Sequence, residues 1–460
     1  MLSDFKYDAK GLEMSKNIGF VSTRFAGTDG VSLESSKWAE VFEKSGHRCF
    51  WFAGELDREK DKSFLVPEAH FQNEQNVWIN ERVLGEKKRK SCVTESIHVL
   101  RSHLKSQLEK FIQQFNIELL VVENALSIPM NIPLGIALAE FISETQIPTI
   151  AHHHDFCWER TRFSVNAVGE YLHMAFPPDL SNIEHVVINS AAQKELAHRS
   201  GISSTIIPNV LDFENPPLID VKHTEGFRKK ISLKNDHIMI LQPTRVIRRK
   251  GIELAIELAK ALGTKRCKLV ISHKSGDEGF EYFEWIREYA TGHGVDLSMA
   301  ESHIASPWKN SGELQKKFSL WNVYPHADFV TFPSLTEGFG NAFLEAVYFK
   351  KPILINRYDN YIRDIEPKGF DLVAIDGFIN RKTVQRVKEV LKSPIRRKRM
   401  VEKNYEIATA CYSYSVLRKH LNAMMYSIFG ESAPRICFEP TCQQHDTRLE
   451  KEQFPAQIAV

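Results

Sequence analysis

Two glutamates stand eight positions apart in EGFGNAFLE, Glu337 and Glu345. An ionised carboxylate accepts hydrogen bonds from vicinal hydroxyls, so such a pair where a glycine-rich loop enters a helix suits a polyhydroxylated ligand. Glu345 alone also fits an acid complementing a helix dipole, whereas Glu337, inside SLTEGFG, has no such structural use. Arg245 and Lys250 in TRVIRRKG offer two cations beside a glycine that opens a helix. A diphosphate needs that arrangement, because its charges are costly to desolvate unpaired. Both are expected to stand exposed in a cleft, with Arg248 and Arg249 forming a solvated basic loop around them. RFAGTDG, with Gly27 and Gly30, follows the run NIGFVST. Its backbone amides can approach an anion, a plain turn being the equal alternative, and the absence of GxGxxG removes the dinucleotide fingerprint. His152, His153, His154 and Asp155 close another strand. Adjacent strand residues point to opposite faces, so three successive histidines cannot form one tetrahedral face and no metal site is expected. Arg160 and Arg162, just beyond, read as surface charge or as a clamp on an anionic acceptor.

Glu337 and Glu345 resemble the E-x7-E motif of retaining glycosyltransferases of the GT-B fold, specifically the large GT4 family. Arg245 and Lys250 match that family's R…KG motif. IPNVLDF, Ile207 to Phe213, is similar to its PNGVD segment, with Val210 where glycine is usual, a departure that bears on the backbone geometry of that loop. The likeness runs roughly from residue 17 to residue 425. It implies that Arg245 and Lys250 hold the diphosphate of a nucleotide-sugar donor, that Glu345 takes the ribose hydroxyls and that Glu337 meets hydroxyls of the donor sugar. Backbone around Gly338, Phe339, Gly340 and Asn341, with Gly30 opposite, would add diphosphate or sugar contacts, and His154 would touch the sugar. No metal or other cofactor is implied, since cations and a helix dipole do the work of magnesium. Arg24, Asp155, Arg160 and Arg162 are the acceptor-side candidates. STRFAGTDG and HHHDFCWERTRF further resemble members that build small glycosides such as mannosylglucosylglycerate and its phosphorylated precursor, and sucrose-phosphate-synthase-like relatives. The expected reaction is retaining transfer of a hexose, from a donor of the GDP-mannose or UDP-glucose type, to a hydroxyl of a small acceptor, anionic ones such as a glycosylglycerate or sugar phosphate included. The leaving diphosphate takes the proton and Glu337 positions rather than attacks. The alternatives are a metal-dependent hydrolase using the His152 to Asp155 cluster and a non-catalytic nucleotide-sugar binding protein.

These residues need rigid elements beneath them. Short β-branched runs at Asn17 to Thr23, Arg48 to Ala53, Glu118 to Glu123, Pro148 to His153, His185 to Asn189 and Thr205 to Pro208 alternate with helical patterns such as Leu33 to Lys44, Thr94 to Phe115 and Leu134 to Glu144. Ser190 through Gln193 reads as a capping box and Gly201 as the stop of its helix. The pattern lapses at Pro216 and Pro217 and restarts with His237 to Thr244, Lys268 to His273, Ala327 to Pro333, Pro352 to Asn356 and Asp371 to Ile375. Strand–helix alternation means a covered parallel sheet, so the fold class is α/β, with two doubly wound Rossmann-like domains facing across a cleft. The expected divisions are an extension at 1–16, an acceptor-side domain at 17–214, a linker at 215–226 and a nucleotide-sugar domain at 227–400. A helix at 401–429 crosses back to the first domain, and a mobile tail spans 430–460.

A chain of 460 residues exceeds what one core fills. Its 60 basic and 58 acidic residues leave a net charge of +2, so no global field attracts nucleic acid or an anionic membrane. The apolar stretch Ile117 to Ile142 is interrupted by Glu118, Glu123, Asn124, Pro129, Asn131, Pro133 and Glu140, too polar for a span. The first residues lack the apolar core of a signal peptide, and the scattered Cys49, Cys92, Cys157, Cys267, Cys411, Cys437 and Cys442 fit a reducing, cytoplasmic setting.

Overall fold

In the computed structural model, residues 15–27, 29–216, 221–234, 236–263, 266–273, 280–300 and 320–430 are described. The expected tail beyond residue 430, residues 1–14 of the extension and residues 217–220 of the linker lie outside them.

Buried, largely apolar runs make the central strands of two parallel sheets, because a strand covered on both faces needs no polar side, and the edges Ser63–Leu65, Thr205–Ile206 and Asp296–Met299 are less buried. The first sheet holds β1 (Asn17–Val21), β2 (Arg48–Ala53), β3 (Ser63–Leu65), β4 (Leu119–Glu123), β5 (Thr149–His153), β6 (Ile183–Val187) and β7 (Thr205–Ile206). The second holds β8 (Ile238–Gln242), β9 (Cys267–Ile271), β10 (Asp296–Met299), β11 (Phe329–Phe332), β12 (Ile353–Asn356) and β13 (Val373–Ile375). Their orders are β3-β2-β1-β4-β5-β6-β7 and β10-β9-β8-β11-β12-β13. Each order reverses once, between β1 and β4 and between β8 and β11, and ligands of open α/β sheets bind in the crevice outside the carboxyl ends at such points. The segments Arg245 to Lys250 and Ser334 to Gly340 leave the sheet directly after β8 and β11.

Helices cover these sheets, several through one apolar stripe, while Ile132–Thr145 is buried almost all round. Ser91–Phe115 buries Val93, Ile97, Leu100, Leu104, Leu108 and Phe111, a three-to-four residue spacing that keeps one face on the core. Gly30–Lys44 buries Trp38, Val41 and Phe42. The two-domain α/β architecture expected above is therefore present.

Several local expectations change. The helix Ser190–Ser200 is capped not by Ser190 but by Asn189, whose side chain accepts from the Ala192 amide, while Gln193 donates to the Ser204 carbonyl. Part of the expected linker is helical, Val221–Lys230. The C-terminal helical run is two helices, Pro394–Tyr412 and Tyr414–Phe429, separated by an extended Ser413 that bridges to Leu211. The first packs Ala408 and Tyr412 into the core of the second sheet. The second packs Leu417, Leu421 and Met424 onto the first sheet beside Phe20 and Trp38.

Candidate active site

The loop after β11 and the turn after β8 are built as one piece. Gly251, with φ +59°, ends the basic turn, and a Cβ there would lie 2.4 Å from the Pro333 carbonyl oxygen. The Leu335 amide donates to the Arg249 carbonyl at 2.8 Å. Close approach places Glu337 between two cations: Lys250 Nζ pairs with Oε1, and Arg249 donates to Oε2 at 3.1 Å. Burial works to raise the Glu337 carboxyl, but the charges of Lys250 and Arg249 outweigh it and hold the group below its ordinary range. Burial likewise lowers Lys250, with Glu337 opposing. Two expectations are corrected here. Lys250 is buried rather than exposed, unlike the exposed Arg245. Arg249 is no mere surface charge, since it also donates to the Thr336 carbonyl; Arg248 does lie exposed, over the Tyr282 ring.

Three carbonyls of the glycine loop are tied down from outside. Asn360 donates to those of Glu337 and Gly338, Asn189 to that of Gly338 and Tyr358 to that of Phe339. A trans peptide turns its N–H opposite to its carbonyl, so the amides of Gly338, Phe339 and Gly340 face the other way. Gly340 has φ +111°, and a Cβ there would meet Tyr358 Oη at 2.8 Å, so the close turn requires glycine. The helix Asn341–Tyr348 follows, with Glu345 one turn in. Burial raises the Glu345 carboxyl; the Tyr324 hydroxyl, donating at 2.7 Å, and the charge of Lys37 oppose this in part.

The first sheet meets this loop directly. Asn209 Nδ2 donates to Asn341 Oδ1 at 2.6 Å, and the Ser190 amide donates to Asp364 at 2.8 Å. A Cβ on Gly338 would lie 3.5 Å from the His154 carbonyl oxygen, and one on Gly30 would lie 3.6 Å from Asn341 Nδ2. Gly30 opens its helix, but Asp29 caps it and takes the Val31 and Ser32 amides, so part of that anion-binding end is filled by the chain's own carboxylate. Val210 is tolerated where glycine was usual, because its φ is not positive. Its amide donates to the buried Glu34 and its carbonyl accepts from Lys37, which is paired with Glu34 at 2.7 Å.

At the ends of β4 and β5 the histidines separate by face. His153 bonds to His185 at 2.9 Å, whereas His152 and His154 both reach Glu123, at 3.0 and 3.1 Å. Strand alternation thus isolates only the middle histidine and brings the outer two together. Glu123, His152 and His154 each offer a ligand atom within 4.8 Å of the others. A metal-bound histidine ordinarily donates its second ring N–H to a partner, and His152 Nε2 is buried with none. The donor set therefore fits a metal poorly, and fits two N–H groups on one carboxylate well.

Among the acceptor-side candidates, Arg160 pairs with Asp155, Arg24 donates to Asp29 at 3.2 Å above the Phe71 ring, and Arg162 reaches the Met130 sulfur. The structure brings Glu337, Lys250, Glu345, Asn341, Gly30 and His154 to one joint. Arg160 and Asp155 neutralise one another at its margin. Glu123, Arg249 and Tyr324 were not identified from sequence, because their partners lie 31, 88 and 21 positions away.

Residues 224–407 match the family described as glycosyl transferases group 1. The chain is 33% identical over 387 residues to the mannosylglucosylglycerate synthase of Petrotoga mobilis, covering 78% of this chain and 86% of that protein. The chain belongs to the group 1 glycosyltransferases. The mannosylglucosylglycerate synthase of Thermotoga maritima is 32% identical over 436 residues, 86% of this chain and 96% of that one. Sucrose-phosphate synthase from Thermosynechococcus elongatus superposes with a TM-score of 0.61 at 13% identity, over 91% of this chain and all of its own (100%). A glycosyltransferase from Rickettsia africae gives 0.63 at 12% identity, over 91% and 99%. The glycosyltransferase fold here is thus GT-B, and with these relatives the enzyme is a hexosyltransferase. None of the helices described is long and apolar enough to cross a membrane.

Proposed function

We propose that this glycosyltransferase moves a mannosyl group from a nucleoside-diphosphate sugar to a hydroxyl of a small anionic glycoside of the glucosylglycerate kind, with retention at the anomeric carbon. The observation that carries the reading is the partly buried Glu337 held between Lys250 and Arg249 at the mouth of the glycine loop. Together with the activity for which the two relatives are named, it favours a charged, polyhydroxylated donor at this joint.

In this reading Arg245, Lys250 and Arg249 carry the diphosphate charge, the amides of Gly338 to Asn341 complete its cradle, Glu345 takes ribose hydroxyls and Glu337 takes sugar hydroxyls. The bond from C1 to the phosphate oxygen breaks as the bond from C1 to the acceptor oxygen forms on the same face. The acceptor proton passes to the departing phosphate oxygen, so the nucleoside diphosphate leaves carrying it. Preorganised cations at the departing charge supply the electrostatic stabilisation, and no bound metal is required. Arg24, Asp155, Arg160 and Arg162 lie on the acceptor side.

The test is nucleoside-diphosphate release by the purified chain from GDP-mannose, UDP-glucose and ADP-glucose, each with and without glucosylglycerate, in buffer and in strong chelator. Acceptor-dependent release from GDP-mannose that survives the chelator is expected. Release from none of the three sugars, or complete loss in chelator restored by zinc, would overturn the reading, the latter in favour of a metal-dependent hydrolase at the His152 to Asp155 cluster.

A further inference from the structure

β4 and β5 pair in register, Glu123 opposite His152, and both end at the cleft. The Glu123 side chain has no solvent exposure, and its carboxylate is shared by two imidazoles. A carboxylate that deep must be matched by donors, so the geometry assigns a proton to each facing nitrogen: Nδ1 of His152 and Nε2 of His154. His152 then buries a bare Nε2 and stacks on Trp38, ring centroids 4.3 Å apart. His154 is fixed twice, through Nε2 and through its amide, which donates to Asn124 Oδ1 at 2.8 Å. Its carbonyl lies against Gly338 of the donor loop, and Nδ1 is the ring atom that Glu123 leaves for substrate.

We propose that Glu123 is a positioning residue of the transfer reaction: it clamps His154 through Nε2–H, so that the ring offers Nδ1–H as a cationic hydrogen-bond donor to the donor sugar and its departing phosphate. The proposal rests on the reading of this joint as the nucleotide-sugar site.

Three segments around the ring contribute charge. Burial lowers His154, but the bond and charge of Glu123 on β4, then Glu34 on the helix Gly30–Lys44 and Asp155 after β5, carry it above its ordinary value. Glu34 acts through a pair with Lys37, while His152 and His153, both lowered, flank the ring as neutral neighbours. For His152 burial prevails over Glu123 and that ring stays neutral. Glu123 itself, despite burial, is drawn down to about 2 by the two histidines. The sign follows: the His154 cation is present below its raised pKa and is lost as pH rises through it. Removing the Glu123 charge should move that loss to lower pH.

The test compares wild type with Glu123→Gln and Glu123→Asp. Histidine-labelled protein, with the His154 resonance assigned through His154→Gln, is titrated by NMR. The kcat and kcat/KM for the donor are followed against pH in parallel. Expected are a wild-type His154 titrating above 6.5 and, in Glu123→Gln, a downward move of about one pH unit shared by the alkaline limb of the rate. A fall of about 10² in kcat, the lower range for a placed acid, should accompany it, with partial rescue in Glu123→Asp. A wild-type His154 titrating at or below 6.5 overturns the clamp even if the variants do not fold. Lost activity with an unmoved limb, or a moved titration with unchanged kcat, overturns it as well. Because NMR reads the clamp without substrate, a failure of the transferase reading itself would show separately, as absent turnover in wild type.

Discussion

Arg245 and Lys250 lie on one turn after β8 in different surroundings, and their substitutions should separate accordingly. Arg245 is exposed, whereas Lys250 is buried against Glu337. Arg245→Ala should reduce donor turnover by about 10² to 10³, by comparison with a lost preorganised donor, and leave the unfolding free energy within about 0.5 kcal/mol. Lys250→Ala should lose as much turnover and also destabilise by about 1–3 kcal/mol. That is less than the ~3–5 kcal/mol of a fully broken buried pair, because Arg249 stays on Glu337. Steady-state kinetics and urea unfolding on the two proteins check this, and wild-type turnover in both would remove the diphosphate role. At this scale the sequence offers candidates where residues of one motif stand close together, as in Glu337 to Glu345 and Arg245 to Lys250. It was unreadable for Arg249, Tyr324 and Glu123, whose partners lie 88, 21 and 31 positions away on other segments.

At the scale of elements, the alternation of apolar runs disclosed most strands because both faces of the central ones are buried and few polar residues interrupt them. The three-residue edge strand β3, the four-residue β10 and the helices Glu74–Val83, Glu281–Gly292 and Arg381–Lys392 escaped, having short or polar signals. Capping was misread by one residue at Asn189, since Ser190 and Gln193 have the right spacing and only the backbone shows which residue stands outside the helix. Asn189→Ala should therefore cost about 0.5–2 kcal/mol, with additional loss from the Gly338 contact. Ser190→Ala should cost little, and thermal melts of the pair decide between the two caps. The buried histidines of β5 and β6 set an acid limit. Burial draws His185 down to about 4, chiefly through desolvation, and His153 well below its ordinary value. Groups depressed in the fold bind protons more readily when unfolded. Stability is thus full above about 6.5 and falls as pH drops toward 4, by about 1.4 kcal/mol per pH unit per histidine. Denaturant midpoints at pH 7.5 and 5 should show the fall, and His185→Asn should flatten it.

For the molecule as a whole, the sequence disclosed that two α/β units with ligand-binding strand ends exist, and it could not disclose how they meet. That arrangement hangs on contacts across more than a hundred positions, such as Asn209 to Asn341, Asn189 to Gly338 and Ser190 to Asp364. They bring the loop around Glu337 against His154, so donor and acceptor would share a narrow joint, with the cations of the second sheet on the departing phosphate. In the proposed reaction an acceptor entering there would approach the anomeric carbon from the face that the phosphate leaves, within about 2.6–3.2 Å of the oxygen that would take its proton. The central claim is thus retention, and the anomeric configuration of the product tests it most directly. With an α-linked donor such as GDP-mannose, the one-bond carbon–proton coupling at the new anomeric centre should be that of an α-glycoside. A β-linked product would contradict the account, because it requires a base on the opposite face, such as Asp155, in place of the departing phosphate.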